Sequence, residues 1–307
     1  MKSNINRPLF FIGIAVCLFP FISPAIALFM GLLLGFTVSN PYIKQSSKVS
    51  KYLLQFAVVG LGFGMNLFES LQSGKEGMLF TVVSVVGVLA LGYWLGRHML
   101  IDSKTTYLIS SGTAICGGSA IAAVAPILNA SPNQMSVSLG TIFILNAVAL
   151  FIFPPIGHLL ELTQEQFGLW AAIAIHDTSS VVGAGAAYGD KALEVATMVK
   201  LTRALWIIPL SIATTFFFKQ KDAKVKIPWF IFFFILAMVL NTIFNLPDKL
   251  TSFIVMLSKK GMTITLFLIG SGLSLKVLKS VGMRPLVLGV SLWIFIGIIS
   301  LIAILFI

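Results

Sequence analysis

The sequence is dominated by long runs of apolar residues that are separated by short polar segments. A transmembrane helix needs about 20 mostly apolar residues, and the chain contains about eleven runs of roughly that length. Only 10% of the 307 residues are charged, and the mean hydropathy is +1.01. A soluble fold with so few charges would expose a large apolar surface and aggregate. The pattern excludes a soluble enzyme, a disordered chain and a nucleic-acid-binding module. It predicts an all-α polytopic membrane protein.

The predicted spans form one transmembrane domain that covers residues 1–307. They lie at 8–22, 24–39, 51–69, 77–98, 105–128, 133–157, 167–189, 195–218, 228–246, 261–278 and 283–307. Many transporters consist of two inverted repeats with interrupted helices in corresponding positions. We therefore expect an inverted-repeat transporter with repeat halves near 24–157 and 165–307.

The basic residues are distributed unevenly between the two sides of the membrane. If the N-terminus is cytoplasmic, about two thirds of the 21 Lys and Arg residues fall on the cytoplasmic side. The strongest marker is the run that contains Lys219, Lys221, Lys224 and Lys226. The net charge of +11 thus fits a lipid bilayer and not a nucleic acid as partner. We expect a multi-pass protein of the cell membrane, with the N-terminus in the cytoplasm and the C-terminus outside.

Glycine and small polar residues interrupt the apolar pattern in four spans, at 59–66, 110–119, 176–185 and 269–274. Small residues allow membrane helices to pack closely, which is one interpretation of such runs. Unwound backbone is the other, and it is tolerated at membrane depth only in a cavity or inside protein. Close packing is favoured for 59–66. A broken helix is favoured for 110–119, where almost no bulky side chain occurs.

A five-span repeat would pair the break in 105–128 with a second break in 261–278. The two spans would run in opposite directions, and their half-helix N-termini would point at an anion near mid-membrane. The candidate substrate-binding residues are Ser111, Gly112, Thr113, Cys116, Gly117, Gly118, Ser119, Gly270, Ser271 and Gly272.

Two polar residues, His176 and Asp177, lie near the middle of span 167–189. A charge at the bilayer centre costs at least about 3 kcal/mol on insertion scales. On a helix, Ser180 would share a face with Asp177 and another with His176. These residues could be a hydrogen-bonded group that fastens two helices. We favour the alternative, in which His176, Asp177 and Ser180 handle a coupling proton or the substrate.

Lys200 and Arg203 lie three residues apart near the predicted start of span 195–218. They could be interfacial anchors together with Trp206, or a cationic access point for an anion. The sequence favours neither interpretation.

The run SGTAICGGSAIAAVAP at 111–126 resembles the central signature of the YeiH-like sulfate exporter family. Residues 176–185 are similar to a second motif of that family, which often has Glu where Asp177 stands. The resemblance covers nearly the whole chain. It implies a polytopic inner-membrane protein with inverted repeats, distantly similar to bile-acid/sodium and cation/proton antiporter folds.

Together these features predict a secondary transporter of a small anion, such as sulfate or an organic sulfonate. Alternating access would couple transport to a proton or sodium gradient. A passive anion channel is an alternative. An intramembrane enzyme with Cys116 as nucleophile and His176 as base is a further class, which we do not favour. No HExxH or GxxxxGK[ST] motif occurs, so we expect no metal and no other cofactor. Homo-oligomerisation stays open.

Overall fold

The computed structural model describes the backbone of residues 3–38, 40–218, 229–272 and 281–306, with side chains except those of 3–6 and 69–80. This part of the chain forms fourteen helices and no strand. They are α1 (Ser3–Val16), α2 (Pro24–Thr37), α3 (Ile43–Gly62), α4 (Leu67–His98), α5 (Ser103–Ala114), α6 (Gly118–Val124), α7 (Pro132–Leu159), α8 (Gln164–Ala174), α9 (Thr178–Tyr188), α10 (Asp190–Ala204), α11 (Ile207–Phe218), α12 (Trp229–Phe244), α13 (Asp248–Gly272) and α14 (Met283–Leu305).

Each predicted span contains at least one helix. Three spans contain two helices each: α5 with α6, α8 with α9, and α10 with α11. Five segments of the described chain are long and apolar enough to cross a membrane on their own. They are Thr81–His98, Pro132–Leu159, Asp190–Phe218, Asp248–Gly272 and Met283–Leu305. Shorter apolar helices accompany them, α1, α2 and α12 among them. The chain is an all-helical polytopic membrane protein, as predicted. The lysine run at 219–226, on which much of the predicted orientation rests, lies outside the described residues.

Local capping fixes the starts of the helices that carry the centre of the molecule. The Asp102 carboxylate accepts a hydrogen bond of 3.0 Å from Thr105 N at the start of α5. Ser131 forms a capping box with Gln134 at the start of α7, and Thr163 opens α8 in the same way. Such caps satisfy N–H groups that a helix cannot pair internally. The turn sequences therefore determine where these helices begin.

The break predicted at 269–274 in span ten does not occur up to Gly272, and its remaining positions lie outside the described residues. Gly270, Ser271 and Gly272 form the last turn of the continuous helix α13, and residues 273 and 274 lie outside the described residues. Helix α13 also begins at Asp248, well before the predicted 261. Glycine in a helix costs only about 1 kcal/mol relative to alanine, so a glycine pair does not by itself end a helix.

Close packing between α2 and α13 explains these small residues instead. A Cβ atom added to Gly270 would lie 2.5 Å from the carbonyl oxygen of Leu28 on α2. On the other side of the contact, a Cβ added to Gly31 would lie 2.9 Å from Ser271 N. The two backbones therefore approach more closely than side chains would allow. The favoured packing interpretation of 59–66 holds for its helical part, since an added Cβ on Gly62 would lie 2.7 Å from Phe234 O of α12. Helix α3 ends at Gly62, and residues 63–66 form the turn that leads to α4.

We predict that Gly270→Ala lowers the stability of the protein by about 1–3 kcal/mol, because the methyl group would force α2 and α13 apart. Thermal unfolding of the purified protein in detergent measures the effect. Gly272→Ala is the matched control, since no described residue lies within 4 Å of an added Cβ at that position. Equal unfolding midpoints for the two variants would contradict the packing role of Gly270.

Candidate functional site

Two interrupted spans place their unwound segments against each other. In the first, residues 115–117 separate α5 from α6, and in the second, residues 175–177 separate α8 from α9. A Cβ atom added to Gly117 would lie 3.5 Å from the backbone carbonyl of His176. The break predicted in 110–119 is therefore confirmed. Its neighbour among the described residues is the break in span seven.

The backbone at Gly117 explains why α5 stops where it does. This residue has φ +64° and ψ −123°, a conformation that is strained for residues with a Cβ atom. Its N–H donates a hydrogen bond of 2.8 Å to Gly112 O in the last turns of α5. An added Cβ would also lie 3.1 Å from Ile142 of α7. Glycine at this position therefore permits the turn and its close contact with α7.

Asp177 is the N-cap of α9. Its Oδ2 atom accepts hydrogen bonds from Ser179 N at 3.2 Å, from Ser180 N at 3.4 Å and from Ser179 Oγ. The expectation that Asp177 and Ser180 share a helix face is wrong, because the chain is extended at Asp177 and the helix begins one residue later. The negative carboxylate compensates the partial positive charge at the N-terminus of α9.

Lys200 of α10 caps the opposite side of the same break. Its side chain is fully buried, with 0% exposure. The ammonium group donates hydrogen bonds to Ala172 O at 3.2 Å and to Ile175 O at 2.7 Å, at the C-terminal end of α8. A cation at a helix C-terminus is favourable because the last carbonyl groups lack partners and carry partial negative charge.

Arg203, one turn further along α10, caps the C-terminal end of α5 in the other broken span. Its NH2 donates a 2.6 Å hydrogen bond to the carbonyl oxygen of Ala114, the last residue of α5. Its NH1 donates to Ser84 Oγ at 2.9 Å and to Thr81 Oγ1 at 3.4 Å on α4. One helix therefore supplies a buried cation to the C-terminal end of each half-helix.

The interpretation of Lys200 and Arg203 as interfacial anchors is wrong. Helix α10 begins at Asp190, so both residues lie in its second half, and both side chains have 0% exposure. For the same reason the structure does not place them at an access point on the surface.

Sequence reasoning missed Asn146 of α7. Its Oδ1 atom accepts hydrogen bonds of 3.2 Å from the backbone N–H groups of both His176 and Asp177. These are the unwound N–H groups that the break in span seven would otherwise leave unpaired. The only signal in the sequence is a single amide within the apolar run 142–153.

Several polar groups around the two breaks have no hydrogen-bond partner among the described residues. They are Thr113 Oγ1, Asn146 Nδ2, Arg203 Nε and both ring nitrogens of His176. All four residues are almost completely buried, with exposures between 0% and 3%. Each of these four side chains can donate a hydrogen bond, so the site contains donors that no described residue accepts from.

The other candidate residues lie around the first break or away from it. Ser111 is buried in the last turn of α5, and an added Cβ on Gly112 would lie 3.0 Å from Ile121. Gly118 begins α6, and Ser119 is exposed on that helix. Gly270 and Ser271 lie at the contact between α2 and α13, and Gly272 follows them at the end of the described part of α13.

Cys116 and His176 do not form a nucleophile–base pair. The Cys116 Sγ atom accepts a hydrogen bond of 2.9 Å from Ser119 Oγ. Neither ring nitrogen of His176 has a partner within the described ranges. In this same part of the chain, no group of three His, Cys, Asp or Glu residues could hold a metal ion.

Comparison with known proteins matches this sequence to a group of bacterial membrane proteins. The family model described as "Conserved hypothetical protein 698" matches residues 14–289. A UPF0324 membrane protein of Bacteroides thetaiotaomicron is 62% identical over 282 residues, which cover 91% of this chain and 86% of the relative. One of Porphyromonas gingivalis is 56% identical over 285 residues, with 91% and 86% covered. One of Geobacter sulfurreducens is 46% identical over 301 residues, with 98% and 97% covered. No solved structure matches the chain significantly.

We predict that Asn146→Leu destabilises the protein by about 1–3 kcal/mol for each buried N–H group that it leaves unpaired. Asn146→Asp keeps the acceptor oxygens and should recover part of that loss. Ser138→Ala is the control, since Ser138 lies on the same helix, is fully buried and has no hydrogen-bond partner in the described part of the chain. Thermal unfolding in detergent compares the three variants. An Asn146→Leu protein as stable as Ser138→Ala would show that the two hydrogen bonds contribute nothing.

Proposed function

Because the chain belongs to the family of UPF0324 membrane proteins, described as Conserved hypothetical protein 698, we propose that its paired helix breaks form the site of a secondary transporter for a small anion. This family is the one that the YeiH-like motifs indicated, and the resemblance is confirmed at that level. The observation that supports the proposal most directly is the group of buried cations and unpartnered donors where α5–α6 and α8–α9 meet.

The formal charges at the two breaks favour a negative ligand. Lys200 and Arg203 bring two positive charges, while Asp177 brings one negative charge. No salt bridge joins Asp177 to either cation among the described residues. Buried charges are costly unless they are compensated by a partner or by hydrogen bonds. An anion bound at the breaks would compensate the excess positive charge.

The unpartnered groups favour an anion with several acceptor atoms. Arg203 Nε, Asn146 Nδ2, Thr113 Oγ1 and the His176 ring can all donate, and hydrogen bonds to an ionised acceptor are stronger than neutral ones. This differs from the expectation that half-helix N-termini grip the anion. The N-terminus of α9 already holds the Asp177 carboxylate, and the unpartnered donors named here come from side chains.

Asp177 is the group that we propose for ion coupling. It is half-buried, whereas the two cations beside it are fully buried. Protonating its carboxylate, or binding a sodium ion there, would add one positive charge to the site. Binding of the cation and of the anion would then favour each other, and this coupling is reciprocal. Alternating exposure of the loaded site to the two sides of the membrane would complete the cycle.

We predict that wild-type protein in proteoliposomes moves an oxyanion when a proton or sodium gradient is imposed, and that Asp177→Asn removes the response to that gradient. Asparagine caps a helix as well as aspartate does, so the variant should fold while losing only the charge. Glu165→Gln on the same span is the control, since Glu165 is exposed in the first turn of α8 and far from the breaks in sequence.

Anion flux that saturates with concentration and follows the gradient distinguishes a transporter from a passive channel. The proposal fails if folded wild-type protein moves no anion from a panel of sulfate, sulfonates and carboxylates under either gradient. If Asp177→Asn retains full coupling, Asp177 has only its capping role.

A further inference from the structure

A cavity of about 560 Å³ lies beside the second broken span. It is lined by the turn between α1 and α2 and by parts of α3, α9, α10 and α13, and it is open on one side. Its wall is mainly apolar and includes Leu61, Val182, Leu193 and Met262. These four side chains also form a small buried cluster that is separate from the main core.

Positive charge is concentrated at this cavity. Lys259 and Lys260 of α13 line it, and no acidic residue in the described part of the chain does so. Lys260 donates a hydrogen bond of 2.5 Å to Phe19 O, and Lys259 forms an ion pair of 2.6 Å with Asp190. Both contacts are near the surface, where the side chain of Lys259 is 42% exposed. The cavity thus combines an apolar interior with a cationic rim.

The cavity reaches close to the proposed transport site. Val182 in its wall lies on α9, one turn after Thr178, the first residue of that helix. Four residues of α-helix correspond to about 6 Å. A molecule in the cavity would therefore be separated from Asp177 by one helical turn and the small apolar cluster.

We propose that this cavity binds an organic anion that has an apolar body and one charged head group. Pockets of about 300–1,000 Å³ with mostly apolar walls and a few polar groups are typical of sites for organic molecules. An inorganic oxyanion would lose its hydration in this cavity and gain few hydrogen bonds from the wall. An amphipathic anion would place its head at Lys259 and Lys260 and its body against Val182 and Met262.

The test measures binding of linear alkanesulfonates from two to eight carbons, and of inorganic sulfate, to the wild-type protein in lipid nanodiscs by calorimetry. Empty nanodiscs give the background. Affinity should rise about fourfold for each added methylene until the cavity is filled. Sulfate should bind more weakly than the longer members. Equal affinity along the series, or sulfate as the tightest ligand, would overturn the proposal.

Two pairs of variants locate the binding site. Ala186→Trp fills the cavity and should abolish the dependence on chain length, whereas Ala187→Trp, at an exposed position outside the wall, should preserve it. Lys260→Gln should weaken every member of the series by a similar factor, whereas Lys249→Gln, which is exposed on the same helix, should not. If the members of either pair behave alike, the anion does not bind in this cavity. If alkanols of the same length bind as tightly as the sulfonates, the occupant is a neutral lipid-like molecule and the proposal is wrong.

The two proposals can fail separately. Asp177→Asn should keep the dependence of binding on chain length, because Asp177 does not line the cavity. Chain-length-dependent binding without any gradient-driven flux would leave the cavity site standing and refute transport. Gradient-driven flux of sulfate without that dependence would refute the cavity site alone.

Discussion

An unpaired backbone group is the constraint on which the centre of this molecule depends. A helix that stops inside a membrane leaves carbonyl and N–H groups that no water can satisfy. Here Lys200 and Arg203 satisfy carbonyl groups at the ends of α8 and α5, while Asp177 and Asn146 satisfy N–H groups of the second break. The buried charges of this chain are therefore needed for its fold before they can serve any function.

The rest of the fold makes this polar centre tolerable by keeping it inside protein. Broken spans are held between α7 on one side and α10 on another, and α7 contributes both Ile142 against Gly117 and Asn146 against His176. Glycine allows this close approach in the centre and, at Gly31 and Gly270, between α2 and α13. Close packing between α2 and α13 leaves both helices unbroken at Gly31 and Gly270. In the centre, Gly117 takes a conformation that ends a helix. The same residue type thus has two structural outcomes within one membrane domain.

A glycine-rich run in the sequence does not show which of these two roles its glycines have, and this limits what the sequence predicts. The helical class and the membrane setting follow from the apolar runs, since a run must be long enough to cross a bilayer. The break near Cys116 was predictable because ten neighbouring residues lack bulk. The Gly-Ser-Gly motif at 270–272 resembled it locally, and only the contact with α2 shows that Gly270 serves packing. The partnership between Lys200 and α8, and the role of Asn146, depend on tertiary contacts between residues 25–31 positions apart, for which local patterns give no signal.

Arg203 and Lys200 occupy successive turns of one rigid helix, about 4.5 Å apart along its axis. Lys200 binds the end of α8 and Arg203 binds the end of α5, so α10 sets the spacing between the two helix breaks. A displacement of α10 would disturb both ends at once, and neither gap could rearrange without a response at the other. The free-energy changes caused by replacing Lys200 and by replacing Arg203 should therefore be non-additive, because this short stretch of α10 couples the two breaks.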